Sequence, residues 1–453
     1  MRNLNSLRVA GLLAALSTTN LALHAQTDAQ TVETLREQIR QLDQQLRILE
    51  RKLEIKDEAA TAAARTTPVV AAGAGGFSLT SGDKKFQLRL RANIHADGRF
   101  FISDNVEGND TFLIRRLRPS FEGTLAEKYG FRLMPDLAGS SFTLLDAYVT
   151  YAHSPAFNVL VGKTKTPFDL ERLVSQTDLL FVERAYPTSL GPNRDLGVQL
   201  FGDVLGGKLT YQLAWQNGVV DNASSVADTD DEKEVAARLF AHPFRGTDSP
   251  LAGLGLGLAA TVGDKDTGSP AGYRTNAQQT FFSWANGVVN AGTHTRLQPQ
   301  AYYYSGPFGL IGSWTSSEQE LARGAEARKL KSTAWFLAAH YVLTGEEATY
   351  RGVTPKSSFS LADGTWGAIE VAARYGVLDV EDAAFAGTSA TWFANPATSA
   401  REAAGTTLGL NWYLNRNVKA TVNFEHTSFD GGESGAVTRE DERALFTRVQ
   451  LRY

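Results

Sequence analysis

Arginine recurs at every second position in this chain. FQLRLRANIH (86–95) carries Arg89 and Arg91 between Leu88, Leu90 and Ile94, and RRLRPSFEGTL (115–125) carries Arg116 and Arg118 between Leu117 and Phe121. Arg238, Arg374, Lys419 and Arg448 sit in further segments of the same alternation. A guanidinium is planar, permanently charged, and offers paired N–H donors that match the oxygens of phosphate or carboxylate. A row of them in a confined, low-dielectric space concentrates anions. Glu122, Asp136, Asp146, Glu370 and Glu425 share the same parity, so a second chemistry stands beside the first, in which cations and acids simply pair along a wall. The first is favoured by the early cluster, because Arg89, Arg91, Arg116 and Arg118 lie on two neighbouring segments.

Those side chains need strands to carry them. From Phe77 onward the sequence alternates apolar and polar residues in segments of about ten, the length of a tilted membrane strand. YQLAWQNG, STAWFLAAHYVL and VKATVNFEH are representative. Sixteen strands are expected, near 85–102, 110–125, 130–138, 142–153, 157–163, 196–203, 207–217, 233–241, 252–262, 294–305, 307–317, 331–343, 365–377, 404–414, 417–429 and 443–453. Connectors after even strands are mostly tight, with 344–364 the exception; those at 164–195, 263–293, 378–403 and 430–442 are long. That rhythm predicts an all-β fold, a 16-stranded antiparallel transmembrane β-barrel spanning 77–453. A soluble sandwich would break into domains of about 100 residues. Closure in lipid explains both the absent edges and the apolar outer face. Parity then decides the arginines' side: the reverse would place them in hydrocarbon at about 2–4 kcal/mol each.

Composition agrees. The 453 residues include 41 glycines, two methionines and no cysteine, with a net charge of −4 and a mean hydropathy of −0.22. No stretch after residue 25 has the ~18 consecutive apolar residues of a spanning helix. Residues 1–25 read as a signal peptide, with Arg2 and Arg8 before an apolar run from Val9 to Leu16 and a cleavage point after Ala25. Residues 27–60 read as a short N-terminal coiled-coil helix in the periplasm. Val32, Leu35, Ile39, Leu42, Leu46, Leu49 and Leu53 alternate at spacings of three and four, a seam that joins subunits. The alternative is one helix docked on its own domain. TAAARTTPVVAAGAGG (61–76) reads as a flexible linker. The last strand ends on an aromatic, Tyr453, in phase with Leu451 and Val449.

Several stretches resemble one family, the phosphate-selective porins O and P: GKTKTPF (162–168) with LER (170–172), RDLGVQ (194–199), GPF (306–308), LTGE (343–346), WGAIE (366–370) with ARY (373–375), and GLNWYLN (409–415). The resemblance implies a trimeric outer-membrane channel of a Gram-negative bacterium, passing phosphate, polyphosphate or other small anions. It also implies a third loop folded inward and lined by arginines and lysines. On that expectation the loop from Thr164 to Asp195 is the constriction, with Lys163, Lys165, Arg172 and Arg184 joining the strand cations as pore-lining residues, and Arg194 close by. No residue-by-residue match to the family's central phosphate site is found.

Other chemistries have little support. No HExxH, GxSxG, Walker A or CxxC pattern occurs. Gly253, Gly255 and Gly257 alternate with leucines inside a strand, without the helix a nucleotide fingerprint needs. DTDDEKE (228–234) lacks the glycine and terminal glutamate of a calcium loop. No cofactor, metal or nucleic-acid partner is expected. Two alternatives remain: a non-selective or cation-preferring porin in which the inward acids dominate, and an outer-membrane hydrolase using His340.

Overall fold

A computed structural model of the chain describes residues 6–102, 108–139, 141–228, 230–434 and 437–453, and side chains from residue 30 onward except 64–66 and 437. The expected signal peptide therefore lies outside the residues whose side chains are described. One helix spans Ser6–Thr66. Its seam from Val32 to Leu53 is exposed along its whole length in the single chain, while Arg51 and Glu54 pair at 2.8 Å on its polar surface.

The expected flexible linker is largely structured. Alanines at 62–64 favour helix, so the helix continues to Thr66. Pro68 ends it by disfavouring α conformation at the residue before. Val69–Gly73 and Gly76–Thr80 then form a hairpin, and its second strand pairs with the first barrel strand, Phe77 opposite Leu90.

Sixteen strands make the barrel. They are β1 (Gln87–Phe101), β2 (Thr111–Leu125), β3 (Tyr129–Asp136), β4 (Thr143–Ser154), β5 (Phe157–Lys165) and β6 (Arg194–Val204). There follow β7 (Leu209–Gln216), β8 (Glu234–Ala241), β9 (Leu254–Lys265), β10 (Val288–Ser305) and β11 (Phe308–Arg323). The last are β12 (Glu326–Val342), β13 (Ala368–Val380), β14 (Ala400–Tyr413), β15 (Val418–Glu433) and β16 (Glu442–Arg452). Each pairs antiparallel with its chain neighbours, and β16 closes on β1. The terminal residue completes that seam: Tyr453 exchanges backbone hydrogen bonds with Ala92 and packs on Phe77 at 4.9 Å.

The distribution of polarity is that of a barrel in lipid rather than of a soluble core. Val161, Trp215, Leu239, Leu258, Leu408 and Val449 are exposed outside, whereas Gln298, Thr315, Thr407, Asn411 and Asn423 are fully buried inside. One expected loop is absent. The stretch 318–330 extends β11 and β12 to a tight turn at Gly324-Ala325; alternation persists there, with Leu321 and Leu330 buried and Glu318 pairing with Lys329 across the strands at 2.7 Å.

Two long connectors enter the lumen. Residues 166–193, between β5 and β6, are buried almost throughout. Residues 343–367, at the end that carries the tight turns, reach up to meet them: the Tyr350 hydroxyl donates to the Leu170 carbonyl at 2.6 Å, and the Tyr350 ring stacks on Tyr302. At the opposite end the 266–287 and 381–399 connectors pack Tyr273, Phe281, Phe282 and Phe393 around Tyr186 and Leu190 of the inner loop. So the long loop read from the sequence as 263–293 also folds inward.

Candidate constriction and anion path

The inner loop crosses the lumen because the far wall hydrogen-bonds to its backbone. Gln298 accepts from the Leu170 N–H at 3.0 Å and Asn423 from the Val182 N–H at 2.7 Å. Gln300 donates to the Phe168 carbonyl at 2.9 Å, and Asn411 to Leu180 at 2.9 Å. The expected strand cations take part in the same work. Lys419 donates to the Leu179 carbonyl at 2.8 Å, Arg448 to Val182 at 2.7 Å and Arg374 to Glu183 at 2.9 Å. Three of the presumed pore-lining cations are thus buried as clamps on loop carbonyls, with Arg448 also paired bidentately to Asp97.

Glu183 anchors the loop to the adjoining strands β1, β2 and β16. Its carboxylate lies 2.7 Å from Arg115, 2.8 Å from Arg99, 3.6 Å from Arg116 and 3.9 Å from Arg448. Burial pushes such an acid up, yet Arg115, Arg116, Arg448 and Arg99 together hold it well below the ordinary carboxylate range.

Arg115 was not among the expected residues, and parity assigned its position to lipid. The register explains its place: His95 faces Arg116 but Ala96 faces Ile114, so Arg115 is the extra residue of a β-bulge. A bulge re-aims side chains, and here both arginines of the doublet point inward. The Arg-Arg doublet on a lipid-facing strand is the signal that could have flagged it. Arg99 shares the parity of Arg89 and was legible; Glu183 as the partner of both was not.

Between loop and wall lies a cavity of about 280 Å³ lined by Arg115, Arg116, Arg118, Arg172, Arg184 and Arg194, with Glu183 its one acid. Arg118 is held by Asp136 at 2.7 Å and Arg194 by Asp146 at 2.8 Å. Arg172 and Arg184 form no ion pair among the described residues. Arg172 donates to the Thr188 carbonyl and to Asn222, and Arg184 to the Glu171 carbonyl through Nε, at 3.0 Å. Arg184 lines the cavity, and its terminal nitrogens make no hydrogen bond among the described residues. Burial, then the neighbouring Arg184, lowers Arg172 to about 9, as expected where cations outnumber anions.

A second cavity, about 340 Å³, lies nearer the tight turns and shares Arg194 with the first. Its cations are Arg132, Lys165 and Arg194, its acid Asp146. Lys165 is bound to the loop carbonyls of Val174 and Leu173. From Arg194 a chain of alternating charge descends the wall: Asp146, Arg132 at 3.4 Å, Glu122 at 3.6 Å, and Arg91 at 3.0 Å.

The remaining expected residues scatter. Arg89 and Arg91 are exposed at the mouth beside the N-terminal hairpin, so the structure does not bring them together with Arg116 and Arg118. Arg91 pairs with Glu122, and Arg89 has no ion pair among the described residues. Arg238 faces inward but bonds Gln300 and Gln212. Lys163 is buried on β5 and lines neither cavity. His340 is buried behind the loop, its Nδ1 2.6 Å from Glu370, with no hydroxyl hydrogen-bonded to it among the described residues.

The model of the phosphate-selective porin O and P family matches residues 86–453, the whole barrel. The chain belongs to this family. Porin O of Pseudomonas aeruginosa is 24% identical over 389 residues, covering 79% of this chain and 86% of that protein. Among solved structures, the outer membrane channel DcaP of Acinetobacter baumannii superposes with a TM-score of 0.55 at 12% identity, over 84% of this chain and all of that one. OmpT of Vibrio cholerae superposes with a TM-score of 0.51 at 9% identity, over 82% and 98%; both likenesses concern the fold alone. As an outer-membrane porin, the chain has its tight turns in the periplasm and its longer loops outside. The six-arginine cavity then lies on the external side of the inner loop and the second cavity on the periplasmic side.

Proposed function

We propose that this porin is a passive channel selective for small anions, phosphate or polyphosphate foremost. The observation that carries the reading is the external cavity, where six arginines face one glutamate and two of them, Arg172 and Arg184, form no ion pair among the described residues. Their unused N–H groups can replace the hydration of an oxyanion, and rings of arginine are a known basis of anion selectivity. We further infer that residues 1–25 direct export, that residues 27–60 form a periplasmic coiled coil, and that the chain works as a homotrimer.

The test is current through single channels in planar bilayers with phosphate added to a chloride background. Phosphate should block chloride current in the wild type. Arg172→Ala with Arg184→Ala should weaken that block roughly 10- to 100-fold, the worth of one charge-assisted hydrogen bond at ~1.5–3 kcal/mol. Undiminished block in the double variant would reject this assignment. A non-selective porin is favoured by one observation, the chain of balanced ion pairs from Arg194 to Arg91; it predicts no phosphate block at all.

A further inference from the structure

The periplasmic cavity is built differently from the external one. Its walls include the rings of Tyr148 and Phe201 and the carboxamides of Gln176, Gln199 and Gln212. Gln199 is only 7% exposed and lines the cavity, and its carboxamide makes no hydrogen bond among the described residues. A carboxamide has two donors and an acceptor, and those of Gln199 are left open to the cavity rather than sealed in protein. Gln212 and Gln176 each use only the oxygen, accepting from Arg238 at 3.2 Å and Arg118 at 3.0 Å. Their N–H donors find no protein acceptor among the described residues.

Bare phosphate does not need this wall. Its oxygens are served by guanidiniums, and it has no carbon face to lay on a ring. At about 30 Å³ per water, the cavity holds roughly ten waters, far more room than one inorganic phosphate occupies. Hydroxyl groups match the free carboxamides, and the C–H face of a ring-shaped polyol matches Phe201 and Tyr148. At the junction of the two cavities Arg194 spends Nε on Asp146 and one terminal nitrogen on Asn193. Its other terminal nitrogen has no partner among the described residues and is free for a phosphoryl oxygen.

We propose that the periplasmic cavity is a subsite for the hydroxylated body of a phosphate monoester, so that the preferred solute is a sugar phosphate whose phosphoryl group lies at Arg194. This rests on the anion-channel reading above and adds the organic half of the solute.

Block of chloride current by inorganic phosphate, glucose 6-phosphate and glucose, measured on the same channels, tests it. Glucose 6-phosphate should bind more tightly than phosphate, and glucose should not block. Gln199→Leu with Phe201→Ala should weaken glucose 6-phosphate about tenfold or more while leaving phosphate block unchanged, which also shows that the variant folds. Equal affinity for the two phosphates, or a variant that weakens neither, would overturn the subsite and leave the anion channel standing. Absence of block by either phosphate would overturn both.

Discussion

Replacing Glu183 by glutamine keeps the side chain's shape and removes the negative end of contacts with Arg99, Arg115, Arg116 and Arg448. Breaking one partner of a buried pair leaves uncompensated charge, at about 3–5 kcal/mol. That penalty falls on the loop's attachment rather than on the barrel. Glu183→Gln should therefore loosen the constriction: unitary conductance rises and becomes noisier, while the barrel still folds. Unchanged conductance would show that the wall hydrogen bonds hold the loop alone. At this scale the sequence was partly readable. Alternation put Arg116, Arg118, Arg374, Lys419 and Arg448 on the inner face, because hydrocarbon rejects charge on the other. What they touch there was hidden. Glu183 is 84 residues from Arg99, and no local pattern reports a contact made across the lumen. Arg115 was hidden because one bulged residue reverses the period on which parity depends.

Among the elements, strands were the more legible and loops the less. Outside bulges such as the one at Arg115, the barrel strands follow the two-residue period, and strand ends coincide with turn chemistry such as Gly306-Pro307. The 318–330 stretch is rich in charge and so reads as a loop, yet Glu318 and Lys329 pair across β11 and β12 outside while Leu321 and Leu330 are buried inside. The 343–367 connector broke the short-turn rhythm, and its role explains why: it carries Tyr350 up to the constriction loop. The helix presents the clearest element-scale prediction. Its exposed seam from Val32 to Leu53 needs an apolar partner. The chain has no cysteine, so Leu42→Cys in full-length protein places a single thiol at the seam. Mild oxidation should give disulfide-linked dimers from within a trimer. A thiol that stays monomeric would mean that the seam does not join subunits.

For the whole molecule, the account joins a net negative chain to an anion-conducting function. The two are compatible because selectivity follows the field at the narrowest point, and charges more than a Debye length away, about 10 Å at 0.1 M salt, are largely screened from it. The acids that outnumber the bases lie along strands, turns and external loops such as 228–234; the external face of the constriction holds six arginines around one acid. Whether that local excess governs permeation is decided by the reversal potential of purified protein in a planar bilayer under a potassium chloride gradient. The account predicts a zero-current potential near the chloride equilibrium value, moving toward zero in the Arg172→Ala, Arg184→Ala variant. A wild-type potential of the opposite sign, marking potassium as the preferred ion, would contradict it.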